Sequence, residues 1–156
     1  MSAPAKPIPD GYHSLQPYFI VRDATKALAF YKDLFGAVEM VRMTIPGTDK
    51  IMHAELRIGD SVLMLTEESP EWNAHSPQKY GGSPVSVMVY VANVDALFAK
   101  ATAAGCQAVM PPADMFWGDR FCKFVDPFGH VWAAATHIAD PTPEEIAEGA
   151  KKFFAA

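Results

Sequence analysis

The sequence has few cysteines and no long apolar run, and both absences narrow its class. Cys106 and Cys122 are the two cysteines among 156 residues, and no Cys-x-x-Cys pair occurs, so a disulfide framework is not indicated. No stretch approaches the roughly 18–20 apolar residues of a membrane helix. The opening MSAPAKPIPDGYH lacks the apolar core of a secretory signal. We therefore expect a reduced, cytoplasmic protein with no membrane partner.

Basic charge and the familiar catalytic motifs are also scarce. The chain has 13 Lys and Arg against 18 Asp and Glu, which gives a net charge of −5. Without a basic cluster, this balance argues against a nucleic-acid partner. There is no Gly-x-Ser-x-Gly, no Gly-rich phosphate loop and no His-Glu-x-x-His. The absence of these motifs favours ligand binding over turnover. The overall composition is ordinary for a globular protein, 50% hydrophobic and 20% charged.

The chain repeats itself once. Residues 21–40, VRDATKALAFYKDLFGAVEM, and residues 91–110, VANVDALFAKATAAGCQAVM, each follow an apolar stretch and continue through a helical pattern to a glycine. Downstream, GDSVLMLT at 59–66 matches GHVWAAAT at 129–136 at the same offset of 70 residues. A glycine at the end of each helix suits a left-handed cap. The pattern predicts two modules with the same fold.

Each module is predicted to run strand, helix, strand, strand, strand. The predicted strands are 15–22, 38–45, 51–58 and 61–67 around a helix at 24–35, then 85–92, 107–111, 119–126 and 130–137 around a helix at 94–104. Thr142 and Glu145 form a capping box that opens a last helix. We thus expect a flexible tail at 1–13, a βαβββ module at 14–67, a linker or lid loop at 68–84, a second βαβββ module at 85–138 and a C-terminal helix at 141–156.

Alternation along the strands separates an aliphatic face from a polar one. In IMHAELRI, residues 51–58, the aliphatic side chains at even positions are expected against a helix, whereas His53, Glu55 and Arg57 point the other way. This second face mixes aromatic, polar and charged groups, so we interpret it as the wall of a ligand cleft. Its candidate ligand contacts are Gln16, Tyr18, His53, Glu55, Ser86 and Tyr90, and His53 and Glu55 are the candidate catalytic pair.

The stretch FWGDRFCKFVDPFGHVW, residues 116–132, is predicted to form a pocket wall on a hairpin. Pro127 and Gly129 suit its turn. Trp117 offers a flat apolar surface, and Asp119 with Arg120 is interpreted as a pair that recognises an oxyanion, placed at the mouth of the cleft. Trp132 is a candidate stacking residue, with core packing as the open alternative.

The tandem modules resemble the vicinal oxygen chelate superfamily, which includes glyoxalase I, bleomycin- and fosfomycin-resistance proteins and extradiol dioxygenases. YFIVRDATKALAFYKDLFGA resembles its opening module and VDPFGHVW its closing hairpin. MHAELRIGDSVLML and the stretch at 116–132 are similar to its PhnB-like branch. The resemblance implies an α+β fold, with tandem βαβββ modules forming a curved mixed sheet around a cleft, and a homodimer.

The resemblance also implies where a metal would be held. Active members bind a divalent ion through four side chains from the first and last strands of each module, and those positions fall here on Gln16, Met64, Ser86 and Ala133, or on the neighbours Leu63 and Ala134. Gln16 could coordinate a hard cation, Ser86 is a poor ligand, and the apolar side chains do not qualify. No cofactor is therefore predicted at the usual site.

These observations favour a small-molecule binding protein that encloses an aromatic or partly polar ligand without the usual metal, as in drug sequestration or resistance. The alternative is a glyoxalase- or dioxygenase-like metalloenzyme whose divalent metal has moved to His53 and Glu55. A third hypothesis is a protein that keeps only the fold and uses its cleft for dimerisation.

Overall fold

Each half of the repeat folds into the strand–helix–strand–strand–strand order that the sequence predicts. The structure is a computed structural model, and it describes residues 5–155. The chain divides into two compact units, Met1–Gly82 and Ser83–Ala156. Each contains a four-stranded mixed sheet, and a C-terminal helix follows the second sheet. The α+β fold class is therefore confirmed.

The first unit builds its sheet in the order β1-β4-β3-β2. Its elements are β1 (Tyr18–Val21), α1 (Ala24–Phe35), β2 (Val38–Thr44), β3 (Ile51–Ile58) and β4 (Ser61–Glu67), and a short helix, α2 (Pro77–Tyr80), follows in the loop. β1 runs parallel to β4, and the other neighbours are antiparallel. This order brings the first, third and fourth strands of the module side by side.

Helix α1 covers one face of this sheet. Its first turn is capped by Asp23, whose side chain accepts a hydrogen bond from the Lys26 amide at 3.0 Å. It ends at Gly36, which has the left-handed φ of 64° that the sequence predicts. The buried side of the helix is Ala24, Ala27, Leu28, Tyr31 and Leu34, and the buried strand residues Phe19, Val21, Ala54, Leu56, Leu63 and Leu65 share one face by alternation.

The second unit repeats this plan in the order β5-β8-β7-β6. Its elements are β5 (Ser86–Tyr90), α3 (Val94–Ala103), β6 (Gln107–Asp114), β7 (Asp119–Val125), β8 (Val131–His137) and the C-terminal helix α4 (Pro143–Ala155). The predicted capping box of α4 is confirmed, because the Glu145 amide donates to Thr142 Oγ1 at 3.2 Å and the Thr142 amide donates to Glu145 Oε2 at 2.8 Å. In residues 5–155, no helix combines the length and apolar character that crossing a bilayer requires.

The two largest differences from the predicted strand boundaries lie beside prolines. β1 begins at Tyr18 and not near residue 15, since Pro17 has no amide hydrogen to donate to a ladder. β6 extends to Asp114, beyond the predicted end at 111, and it includes Pro111 and Pro112. This is tolerated because β6 is an edge strand whose register shifts between Met110 and Ala113.

The N-terminal segment, predicted as a flexible tail at 1–13, makes contacts in its second half. Residues 1–4 of that prediction lie outside the described residues. Asp10 and Gly11 form a turn in which the Tyr12 amide donates to the Pro9 carbonyl at 3.2 Å, and Gly11 adopts a φ of 82°. The turn brings the Tyr12 side chain to the first sheet, where its hydroxyl contacts Glu55.

Candidate functional site

Three predicted site residues lie on the sheet face opposite α1 in the first unit. In the register of the sheet, Tyr18 pairs with Met64, and Met64 pairs with Glu55 on the next strand. His53 precedes Glu55 by two residues in β3, so both side chains leave the same face. Ala54 and Leu56 are buried on the side of the sheet that α1 covers. By the alternation predicted for β3, His53 and Glu55 point to the other side, where Tyr18 also lies.

A chain of hydrogen bonds connects these side chains. Glu55 Oε1 lies 2.9 Å from His53 Nε2, and His53 Nδ1 lies 3.4 Å from the Tyr18 hydroxyl oxygen. The second carboxylate oxygen of Glu55 accepts a hydrogen bond from the Tyr12 hydroxyl. We call Tyr12, Glu55, His53 and Tyr18 the polar row. Glu55 is 8% exposed, whereas Tyr18 at the end of the row is 55% exposed and available to a ligand.

The polar row keeps Glu55 ionised. Burial raises the pKa of Glu55, but hydrogen bonds from His53 and Tyr12 outweigh burial and hold that pKa below its ordinary value. The hydrogen bond to Glu55 raises the pKa of Tyr12, because it favours the protonated phenol beside the carboxylate. Since a carboxylate only accepts, the hydrogen bond to Glu55 requires a proton on His53 Nε2, and the other ring nitrogen, Nδ1, faces the Tyr18 hydroxyl.

Apolar side chains surround the polar row in the same unit. Met43 pairs with His53 and Val41 with Glu55 across the β2–β3 ladder, and Met64 lies between Glu55 and Tyr18. Met43 is exposed, and Val41 and Met64 are half-buried. The face therefore combines a few oriented polar groups with adaptable apolar contacts, the composition that small-molecule sites share.

Three further predicted residues meet in the second unit. Asp119, which is 5% exposed, accepts hydrogen bonds from the Tyr90 hydroxyl at 3.2 Å and from Trp117 Nε1 at 3.1 Å. His137, to which the sequence assigned no role, completes the group: its Nδ1 lies 2.8 Å from Asp119 and its Nε2 lies 2.9 Å from Asp140. We call these five residues the Asp119 cluster.

The Asp119 cluster connects the ends of β5, β7 and β8 through hydrogen bonds. The buried Asp119 carboxylate has three hydrogen-bonding partners in it. The hydrogen bond to Asp119, and then that to Asp140, raises the pKa of His137. The hydrogen bond to Asp119 raises the pKa of Tyr90 as well. No local sequence signal indicated His137, since its partners are 18 residues before it and three residues after it. The exposed Tyr90 ring is the part of the cluster that a ligand could reach.

Arg120 does not join Asp119 in a recognition pair, which corrects the sequence interpretation. The strand β7 begins at Asp119, so consecutive side chains leave opposite faces. Arg120 binds Asp95 at the start of α3 through Nε at 2.6 Å and Nη2 at 2.7 Å, and it binds Asp114 through Nη1 at 2.8 Å. Its guanidinium is thus engaged in ion pairs that join β7, β6 and α3.

Trp132 lies in the core. Its position agrees with the alternative of core packing and not with a role in stacking on a ligand. It is 1% exposed, and its Nε1 donates to Asp126 at 2.9 Å. Asp126 also accepts the amides of Phe128 at 2.9 Å and His130 at 3.0 Å. The hairpin turn is as predicted, with Gly129 at a φ of 89°. This part of the stretch at 116–132 is structural.

Neither cysteine suits nucleophilic chemistry. Cys106 and Cys122 are buried and free. Burial raises the pKa of Cys106 to about 12 and that of Cys122 to about 11. Their thiolates are therefore not populated at neutral pH, and the polar groups above are the candidates for function.

Comparison with known families decides what this fold is. Residues 13–134 match the Glyoxalase/Bleomycin resistance protein/Dioxygenase superfamily. The chain belongs to this superfamily. Among curated relatives, the uncharacterised protein Rv0887c of Mycobacterium tuberculosis is 38% identical over 137 residues, which cover 85% of this chain and 79% of that protein.

Solved structures of the superfamily fold resemble the chain over most of its length. TioX from Micromonospora has a TM-score of 0.62 at 26% identity and covers 81% of this chain and 99% of its own. The PhnB protein from Bacillus cereus has a TM-score of 0.62 at 16% identity, with 80% and 99% covered. FosX from Listeria monocytogenes, a fosfomycin resistance protein solved with manganese and sulfate, has a TM-score of 0.61 at 19% identity, with 87% and 95% covered.

The four positions at which the resemblance implies metal ligands are Gln16, Met64, Ser86 and Ala133. Gln16 lies before β1, and its side-chain amide donates to the His13 carbonyl. Ser86 opens β5, while Met64 and Ala133 lie within β4 and β8. A thioether and a methyl group do not replace the nitrogen or oxygen ligands that divalent ions require. Within residues 5–155, no group of three or more His, Cys, Asp or Glu is arranged to hold a metal ion.

Proposed function

We propose that this protein binds a small, partly polar aromatic molecule on the polar row of the first unit, without the divalent metal of its superfamily. The observation that supports this most is the bonded series Glu55–His53–Tyr18, which begins at a buried carboxylate and ends at an exposed phenol. Such a series fixes the direction of each donor and acceptor before a ligand arrives, which lowers the entropic cost of recognition.

The chemistry of the row favours binding over metal-assisted turnover. Glu55 Oε1 and His53 Nε2 are bonded to each other at 2.9 Å, and so these two atoms are not directed at a shared ion. The side chains at the superfamily's metal positions include Met64 and Ala133, which are unsuited to a hard cation. A displaced metal held by His53 and Glu55 would first have to break their mutual bond.

Ligand-detected binding tests the proposal. We expect some members of a panel of single-ring aromatic alcohols, amides and carboxylates to raise the melting temperature of the wild-type protein. His53→Ala should remove that shift, because it deletes the ring that lies between Glu55 and Tyr18. Arg120→Ala is the matched control, since Arg120 lies outside the row. A ligand whose stabilisation survives His53→Ala and disappears with Arg120→Ala would contradict the proposal.

A further inference from the structure

The polar row already contains a phenol that comes from outside the sheet. Tyr12 belongs to the N-terminal strap, residues 5–13, which contains no helix or strand. Its hydroxyl donates to Glu55, 43 residues away in the chain. The donor is therefore brought to the carboxylate by the strap and not by the ladder of the sheet.

The strap is held in a way that permits it to leave. Apart from Tyr12, residues 5–13 are exposed to solvent. The Lys6–Asp10 ion pair is local and exposed at 2.7 Å, so it contributes little to holding the strap on the sheet. Gly11 approaches Arg57 closely enough that an added Cβ would lie 3.4 Å from Nη2. The Tyr12 hydroxyl bond attaches the strap to β3.

Removing Tyr12 would leave Glu55 with an unfilled acceptor. The carboxylate is 8% exposed and ionised, and its other oxygen is bonded to His53. A buried carboxylate oxygen without a donor is costly. Any incoming molecule that presents a hydroxyl or N–H donor on an apolar body can therefore replace Tyr12, whereas a carboxylate ligand would be repelled by Glu55.

We propose that the Tyr12 hydroxyl occupies the position of the ligand's own donor, so that the site takes neutral hydroxyaromatic molecules, which displace the N-terminal strap on binding. This inference rests on the proposed function and adds the class of ligand and its internal competitor. In this arrangement the Tyr12 hydroxyl and the ligand hydroxyl compete for one acceptor, the Glu55 carboxylate.

The test measures the affinity of full-length protein for 4-cyanophenol by calorimetry at neutral pH. Tyr12→Phe should bind it roughly tenfold more tightly than wild type, because the competing hydroxyl bond is gone while the ring remains. The methyl ether, 4-methoxybenzonitrile, should bind more weakly than the phenol to both proteins. Tyr80→Phe is the matched control, as Tyr80 is an exposed tyrosine in the loop of the same unit and outside the row; its affinity should equal that of wild type.

A second readout follows the strap itself. Saturating 4-cyanophenol should accelerate chymotryptic cleavage after Tyr12 several-fold in wild type. If Tyr12→Phe binds 4-cyanophenol no better than wild type, while His53→Ala still abolishes binding, the strap inference is wrong and the proposed function stands. If neither wild type nor Tyr12→Phe binds the phenol, or any member of the aromatic panel, both fail.

Discussion

At the scale of single residues, Arg120 shows how the direction of one side chain changes its role. Its guanidinium forms a two-bond contact with Asp95 and a further bond with Asp114. These partners are exposed, so the ion pairs are partly screened by solvent. We expect Arg120→Ala to lower the melting temperature slightly and to leave ligand affinity unchanged, as measured by thermal denaturation and calorimetry. A loss of affinity with an unchanged melting temperature would restore the recognition role.

Asp126, in contrast to the partners of Arg120, is buried, so water does not replace the hydrogen bonds that it makes. It accepts from two backbone amides and from the Trp132 indole. Asp126→Ala would remove the acceptor that these three donors share, and we expect it to reduce the free energy of unfolding by about 2–4 kcal/mol. Urea denaturation measures this, and the exposed Asp49→Ala serves as control. Equal midpoints for the two variants would refute the role.

At this scale the sequence predicted β3 well and the stretch at 116–132 less well. Alternation placed His53 and Glu55 correctly on one face because Ala54 and Leu56 are clearly apolar. A strand was predicted from residue 119, yet Asp119 and Arg120 were interpreted as one recognition pair, although consecutive side chains of β7 point to opposite faces. Tyr12 and His137 meet their partners through the fold, so no local pattern could identify them.

At the scale of elements, His137 joins the end of β8 to the segment that leads into α4. Its ring lies between Asp119 and Asp140, with Tyr90 and Trp117 bonded to the same Asp119. Because these bonds favour the protonated ring, the folded-state pKa is raised above its ordinary value of 6.5. The stabilisation is complete below the unfolded pKa and is lost as pH rises through the folded one.

The corresponding experiment compares wild type with His137→Gln across pH. The difference in unfolding free energy should be constant below about pH 6 and should shrink as pH increases beyond about 7. Urea denaturation at several pH values measures it. A difference that grows with increasing pH would mean that the neutral ring, and not the imidazolium, is the bonded form.

The helices were predictable because local capping signals in the sequence mark their ends. Gly36 and the Thr142–Glu145 box indicated helix ends that the structure confirms. The strand ends near Pro17 and Pro112 were displaced, since whether an edge strand tolerates proline depends on its place in the sheet.

At the scale of the whole molecule, we propose that the protein is a homodimer. Helix α4 has no buried residue in the single chain, and Phe154 is 81% exposed. Exposed aromatic side chains and the open edges at β2 and β6 favour a covering partner. Light scattering at micromolar concentration should give twice the 17.0 kDa chain mass, and Phe154→Ser should shift the equilibrium toward the monomer. A monomeric wild-type mass would contradict the proposal.

The fold of the whole chain followed from its internal repeat, but its ligand chemistry depended on side chains that only the folded chain brings together. The offset of 70 residues predicted two copies of one module, and both are present. The same fold is compatible with several chemistries, so membership of the superfamily does not identify the ligand. That identification depends on Glu55, His53 and their partners.

The most direct test of the central claim is calorimetric titration of 4-cyanophenol into protein treated with EDTA and then supplied with manganese. Binding on the polar row without a metal predicts the same dissociation constant before and after manganese is added, and no binding by His53→Ala in either condition. Binding that appears only with manganese, or that persists in His53→Ala, would contradict the account.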